Sequence, residues 1–164
     1  MIRLRVEFLR DRSADYLRLR NQIRTYHIGA LAMSVPEEGR SVQSNRRYEI
    51  VALLNQLQLE AQLPLLIAGD FERGVLPARI FGTTVFPHAM AFGAAAGKLA
   101  YAEKFGRITA QESRALGVHW NLFPVADVNT NPANPIIGTR AFGEDADRVG
   151  DLDPLRRRIG RAHV

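Results

Sequence analysis

The stretch Leu63-Pro64-Leu65-Leu66-Ile67-Ala68-Gly69-Asp70 decides how this chain folds. It is a near-continuous apolar run, not an alternation of apolar and polar residues, and it closes on a glycine and a carboxylate. A short run of this kind is what a parallel strand buried on both faces looks like. Two other stretches read the same way on either side of it. His27-Ile28-Gly29-Ala30-Leu31-Ala32-Met33-Ser34-Val35 precedes it, and Val118-His119-Trp120-Asn121-Leu122-Phe123-Pro124-Val125 follows.

Helical patterns lie between these runs. Ser13 can cap a helix whose first turn holds Asp15, where a negative charge suits the helix dipole. Tyr16, Leu19, Ile23 and Tyr26 then recur at helical steps. A second helix is predicted from Arg46 to Ala61, with Tyr48, Val51, Leu54 and Leu57 on one side. A third is predicted from Lys98 to Leu116, with Leu99, Ala102, Phe105 and Ile108 on one side and Gly117 closing it. All three stripes are read as core packing.

Helix and strand thus alternate three times, which argues for a parallel sheet of right-handed crossover units. An open doubly wound sheet and part of an eight-fold barrel both fit. The glycine fingerprint of dinucleotide sites and the P-loop pattern are missing after every strand, which counts against a nucleotide-binding open sheet.

Bulk properties narrow the function. The chain has 164 residues, 46% hydrophobic and 24% charged, enough for one domain with a core. There is no apolar run long enough to span a membrane. Met1 to Arg12 carries Arg3, Arg5, Arg10 and Arg12 without an apolar core, so it does not read as a secretory signal, and a cytoplasmic location is the default expectation. Cysteine is absent, which excludes disulfides and thiol chemistry. The net charge of +5 invites a nucleic-acid reading, but Leu155 to Val164 holds Arg156, Arg157, Arg158 and Arg161 and no acid; without that segment the charge is +1. The basic character is a terminal tail, which argues against a nucleic-acid-binding face.

Candidate functional residues cluster after the strands. Two loops, Phe71 to Ala96 and Asp127 to Glu144, follow the second and third runs, where binding sites sit in both architectures. The second is rich in Asn, Asp and Pro, residues that set turns through local hydrogen bonds. Asp70, at a strand end, can reach into a site and accept bonds from two hydroxyls, or pair with Arg73 or Arg79. Glu72 reads as a loop salt bridge rather than a catalytic acid. Arg140 offers a rigid fork of donors, or locks its loop to Asp127 or Glu144. Asp127 reads as structural. His27, His88, His119 and His163 lack ligand spacing, so no metal site is expected. There is no Gly-x-Ser-x-Gly elbow to support a serine hydrolase.

Several motifs together resemble glycoside hydrolase family 3. Leu65-Leu66-Ile67-Ala68-Gly69-Asp70-Phe71-Glu72-Arg73-Gly74 is similar to the family's apolar run followed by Asp-x-Glu-Gly-Gly. Thr84-Val85-Phe86-Pro87-His88-Ala89-Met90-Ala91-Phe92-Gly93-Ala94 resembles its FPxxMALGA segment. Phe123-Pro124-Val125-Ala126-Asp127-Val128-Asn129, with Asn134-Pro135-Ile136-Ile137-Gly138-Thr139-Arg140-Ala141-Phe142-Gly143-Glu144-Asp145, is similar to the signature ending in NPvigxRSFGeD. The match spans Phe8 to Leu152, and its flavour is that of the β-N-acetylhexosaminidase and β-glucosidase-like branch.

The resemblance implies an α/β fold, a partial (β/α)8 TIM barrel comprising the first three strand–helix units. It implies a domain over residues 1–152, with 153–164 a basic tail outside it. It implies a glycosidase acting on terminal β-linked sugars with retention, without metal or cofactor. By resemblance Asp70 binds hydroxyls of the non-reducing sugar, Arg140 lines the sugar site, and Arg79 corresponds to an arginine downstream of the aspartate. His88 and Asn129 are second-tier members.

The departures are as informative. Arg73 replaces the first glycine of the Gly-Gly pair, and Ala141 the serine of the RSFG motif. The family's Lys-His-Phe-Pro-Gly motif, its aspartate nucleophile and its leaving-group acid have no matched position. Retention needs a nucleophile and an acid flanking the scissile bond, so no catalytic residue is assigned, and activity of this chain alone is in question. A truncated or frame-shifted reading frame is the expectation from the change of character after Leu152. A partial barrel leaves strand edges unpaired, from which instability or self-association is expected. The other readings are a non-catalytic remnant or subunit needing a partner, and a basic nucleic-acid binder using the arginine tail.

Overall fold

A computed structural model describes residues 1–5, 13–34, 46–75, 80, 82–95 and 99–152 of the chain. The elements run β1 (Ile2–Arg5), α1 (Ala14–Tyr26), β2 (Ala30–Ser34), α2 (Arg46–Glu60), β3 (Leu66–Gly69), α3 (Ala89–Ala94), α4 (Leu99–Ala115), β4 (Trp120–Asn121), a 3-10 turn (Gly138–Arg140) and α5 (Ala146–Asp151). They divide into two compact units. The first comprises Met1–Asp70, Ala78–Gly82 and Ser113–Leu122; the second comprises Phe71–Pro77, Thr83–Glu112 and Phe123–Val164.

The first unit is built on a four-stranded sheet in the order β1-β2-β3-β4, with every pair parallel. Leu31 pairs with Ile2 on one side and Ile67 on the other, and Ala68 pairs with Trp120. Strands paired in sequence order and joined by helices are the repeating unit of a (β/α)8 barrel, and this sheet is part of one. The three runs expected from the sequence are its last three strands. The first strand was not expected. Ile2-Arg3-Leu4-Arg5 alternates apolar and basic residues over four positions only, and its arginines resemble a charged tail. Leu4 is nonetheless buried, beside Met33 of β2.

The pleat separates two faces. Leu4, Leu31, Met33 and Ile67 are buried. The crossover helices of a parallel sheet pack against it, and α1 and α2 bury Tyr16, Leu19, Ile23, Ile50, Leu53, Leu54 and Leu57. Each such aliphatic side chain contributes about 1.5–3 kcal/mol. Tyr26 and Tyr48, placed by their spacing on the apolar stripes, instead lie exposed at 73% and 68%. They sit at the last turn of α1 and the first turn of α2, where the ring can leave the stripe and keep its hydroxyl in water. The other face carries Arg3, Ala32, Ala68 and Trp120 in one row.

Local chemistry sets the element ends. Ser13 caps α1 as expected, its Oγ accepting from the Tyr16 N–H at 3.2 Å. At the end of α4, Val118 N–H donates to Ser113 O at 2.9 Å and Gly117 N–H to Arg114 O at 3.0 Å, with Gly117 at φ 84°. This is a Schellman close, and glycine supplies its left-handed residue. Gln58 of α2 bonds both backbone groups of Leu65, Nε2 donating to the carbonyl and Oε1 accepting from the N–H, each at 2.8 Å. A side-chain amide thereby substitutes for a neighbouring strand where β3 begins. Arg24 of α1 pairs with Glu60 of α2 at 2.5 Å.

β4 is shorter than its apolar run. His119 N–H donates to Ile67 O and Leu122 N–H to Gly69 O, both at 2.8 Å, extending the ladder slightly. Pro124 has no N–H with which to continue it. The Ile67 N–H donates to His119 Nδ1 at 3.1 Å, a ladder position filled by a side chain.

Candidate functional site

Asp70 stands one residue beyond β3 and is exposed. Arg79 lies outside the described residues. Asp70 belongs to the first unit; the remaining described candidates belong to the second.

Glu72 is held from both sides of its loop. Phe71 is buried before it. After it, Phe86 N–H donates to Arg73 O at 3.2 Å and Arg73 Nε to Phe86 O at 3.1 Å. Gly74 lies at φ 80°, and a Cβ there would meet Thr84 O at 2.7 Å and the Phe86 ring at 2.8 Å. This accounts for the Arg73 departure. The position that must be glycine is the second of the pair, and the sequence keeps it.

Arg140 is positioned by the asparagine-rich loop, which forms the turns its composition predicts. Asn131 Oδ1 accepts from Ala133 N–H at 3.0 Å, and Asn134 Oδ1 from Ile136 N–H at 2.9 Å. The 3-10 turn follows, with Arg140 N–H donating to Ile137 O at 2.9 Å. Beyond it Ala141 and Phe142 are buried and anchor the turn. Asp145 caps α5, its Oδ1 accepting from Arg148 N–H at 2.9 Å.

The two loops meet through one ion pair. Arg140 Nε donates to Glu72 Oε1 at 3.0 Å and Oε2 at 2.8 Å, and Nη2 donates to Oε1 at 2.5 Å. Nη1 donates to Ile136 O at 3.0 Å. The side chains are 37% and 20% exposed. Glu72 is thus the loop salt bridge that its context suggested. Its partner differs from expectation: Arg140 pairs with Glu72, where Asp127 or Glu144 seemed the natural choices. Nothing in the sequence could single out Glu72, since the contact joins residues 68 positions apart.

An aromatic cluster underlies the loops. Phe105 of α4 packs edge-on to Phe86 at 4.7 Å and to Phe123 at 5.5 Å, and stacks on Phe92 at 5.0 Å. Phe123 reaches Phe142 at 6.2 Å. Gly93 of α3 comes so close to Phe142 that an added Cβ would overlap the Phe142 carbonyl. Glu112 of α4 accepts from the N–H and Oγ1 of Thr84, at 3.0 and 2.6 Å. Three motif segments of the sequence therefore pack into one unit around Phe105.

The second-tier candidates divide. His88 is exposed and precedes α3 without a side-chain capping bond. Asn129 is buried; its N–H donates to Gly143 O at 2.9 Å and its Nδ2 to Glu144 Oε1 at 3.4 Å, so it braces the loop that carries Arg140. Asp127 is exposed. Among the described residues no cluster of His, Cys, Asp and Glu could hold a metal ion, and no helix is long and apolar enough to cross a membrane.

The model of the family described as "Glycosyl hydrolase family 3 N terminal domain" matches residues 2–153. The chain belongs to glycoside hydrolase family 3. Among its family 3 relatives, Beta-hexosaminidase A of Pseudoalteromonas piscicida is 41% identical over 113 residues, covering 63% of this chain and 19% of its own length. The Beta-N-acetylglucosaminidase/beta-glucosidase of Cellulomonas fimi is 32% identical over 126 residues, covering 77% of this chain and 22% of its own length. The solved family 3 β-N-acetylglucosaminidase of Paenibacillus sp. str. FPU-7 superposes with a TM-score of 0.78 at 32% identity, over 99% of this chain and 29% of that one. The chain thus spans about a fifth of the length of the two curated relatives.

Proposed function

We propose that this chain forms part of the sugar-recognising framework of a family 3 glycosidase acting on terminal β-linked sugars, of the N-acetylhexosamine or glucose type. Asp70 accepts bonds from sugar hydroxyls at the tip of β3, Arg140 donates to sugar oxygens, and Arg79 adds a further donor. The relatives' printed activities and the motifs around Asp70 and Arg140 support this reading. The observation that carries it is the orientation of Arg140. Its guanidinium is fixed by a bidentate carboxylate and a backbone carbonyl, as a side chain that must recognise a ligand needs to be.

Recognition is not hydrolysis. Retaining cleavage requires two carboxyl-type groups across the bond, or a substitute for one of them, and no residue of this chain matches either. We therefore assign it no catalytic residue. A partner-dependent role is the second reading, favoured by the exposure of Leu66, Trp120 and Leu122 at 41%, 47% and 46% along β3 and β4. No cofactor, metal or nucleic acid enters either reading.

The test is an assay with nitrophenyl β-N-acetylglucosaminide and β-glucoside, beside calorimetric titration with the methyl glycosides and a full-length relative as control. Saturable binding without turnover by this chain supports the proposal. Turnover at the relative's rate would overturn the assignment of no catalytic residue, and absence of binding would overturn the recognition role.

A further inference from the structure

We infer that His119 is an acid-sensitive latch that fastens β4 to β3 and so steadies the strand that leads into Asp70. One residue bonds Ile67 twice. The Ile67 carbonyl accepts from the His119 N–H at 2.8 Å, and the Ile67 N–H donates to His119 Nδ1 at 3.1 Å. In a regular parallel pair a strand carbonyl takes such an N–H. Here the chain just before His119 is still closing α4, with Gly117 at φ 84° and its N–H donating to Arg114 O. The paired part of β4 is only Trp120–Asn121. The imidazole therefore supplies an acceptor in place of the backbone, and it does so among buried neighbours, Ile67 and Val118.

A carbonyl oxygen keeps its lone pairs across the physiological pH range; an imidazole nitrogen does not. Accepting at Nδ1 requires the neutral ring with its proton on Nε2. Protonation puts an N–H at Nδ1, against the Ile67 N–H. Two donors then face each other, and a buried amide loses its partner. The bond is thus present while the ring is neutral and is lost as the pH falls through the ordinary imidazole range. Neither β3 nor β4 brings another titratable side chain. Of the helix ends beside them, that of α2 carries Glu60, paired with Arg24, and that of α4 carries Arg114, which is exposed. Ile67 lies on a strand of four residues that ends one residue before Asp70, so releasing it loosens the backbone on which that carboxylate stands.

The experiment is amide hydrogen exchange of the isotope-labelled full chain at about pH 7.5 and about pH 5.5, each rate referred to that of an unprotected amide at the same pH, beside the nitrogen shifts of the His119 ring. At the higher pH the ring should show a bare Nδ1 and a protonated Nε2. On acidification the protection of the Ile67 amide should fall about tenfold, while that of Leu31, paired on both sides within the sheet, holds. His119→Asn offers an amide oxygen that does not titrate, and should abolish the fall. His119→Leu removes the acceptor and should leave Ile67 weakly protected at both pH values; if it fails to fold, the unsubstituted chain against His119→Asn still decides. A proton on Nδ1 at the higher pH, protection of Ile67 that ignores pH, or an equal fall at Leu31 would overturn the inference. So would a full pH response surviving in His119→Asn, the signature of a merely structural role.

Discussion

Glu72 and Arg140 lie 68 residues apart in the chain and meet through both carboxylate oxygens of one and two guanidinium nitrogens of the other, at 2.5 to 3.0 Å. A bidentate pair of this kind is stronger than a single-contact bridge. Its partial exposure moderates the gain, because water screens the charges. A double-mutant cycle with Glu72→Gln and Arg140→Gln should give a coupling of about 1–2 kcal/mol in thermal unfolding. Additive single effects would show that the two side chains do not support each other.

Gly93 should tolerate no side chain. A Cβ would overlap the Phe142 carbonyl, and relief requires α3 and the Phe142 loop to part. Overpacking of this kind costs about 1–3 kcal/mol. Gly93→Ala should therefore lower the midpoint of thermal unfolding, whereas Gly150→Ala, in α5 with open space around its Cβ position, should leave it unchanged or raise it, because alanine favours a helix over glycine. Equal effects at the two sites would contradict the packing described.

The Gln58 bridge makes a prediction about β3. Gln58→Leu removes a donor and an acceptor from the backbone of Leu65, and Leu65 itself is buried. Leaving polar backbone groups unpaired costs about 1–3 kcal/mol. Hydrogen exchange should show the Leu65 amide losing protection before the rest of the strand. Unchanged exchange would mean that water replaces the side chain without cost.

The sequence conveyed the alternation of elements and three of the four strands because continuous apolar runs and helical spacing are local signals. Ile2–Arg5 escaped notice because a four-residue strand that alternates with arginine has no such run. The turns at Asn131 and Asn134 were legible as turn chemistry, whereas the 3-10 turn at Gly138–Arg140 was not. The Glu72–Arg140 pairing was not, because it depends on where two loops arrive in space.

His27 closes α1 with φ 50°, a left-handed conformation that glycine adopts at least cost. His27→Gly should stabilise the chain by about 0.5–1 kcal/mol, read as a higher unfolding midpoint in denaturant. A lower midpoint would mean that the imidazole makes a contact outweighing the backbone strain.

The exposed apolar side chains of β3 and β4 bear on association. Leu66 on β3, Trp120 on β4 and Leu122 just beyond it are each exposed, and apolar side chains of this size are usually covered when they gather on one face. Sedimentation velocity should show concentration-dependent self-association of the isolated chain. A monodisperse monomer with a cooperative melt would show that the face is stable as it stands.

Sugar recognition by Asp70 and Arg140 is tested most directly by titrating the isotope-labelled chain with methyl N-acetyl-β-glucosaminide while following the Asp70 backbone amide and the Arg140 Nε–H resonance. Both signals should move along one saturating curve with a single dissociation constant. If only one responds, or the two report different affinities, the aspartate and the arginine do not serve the same ligand and the proposed function is wrong.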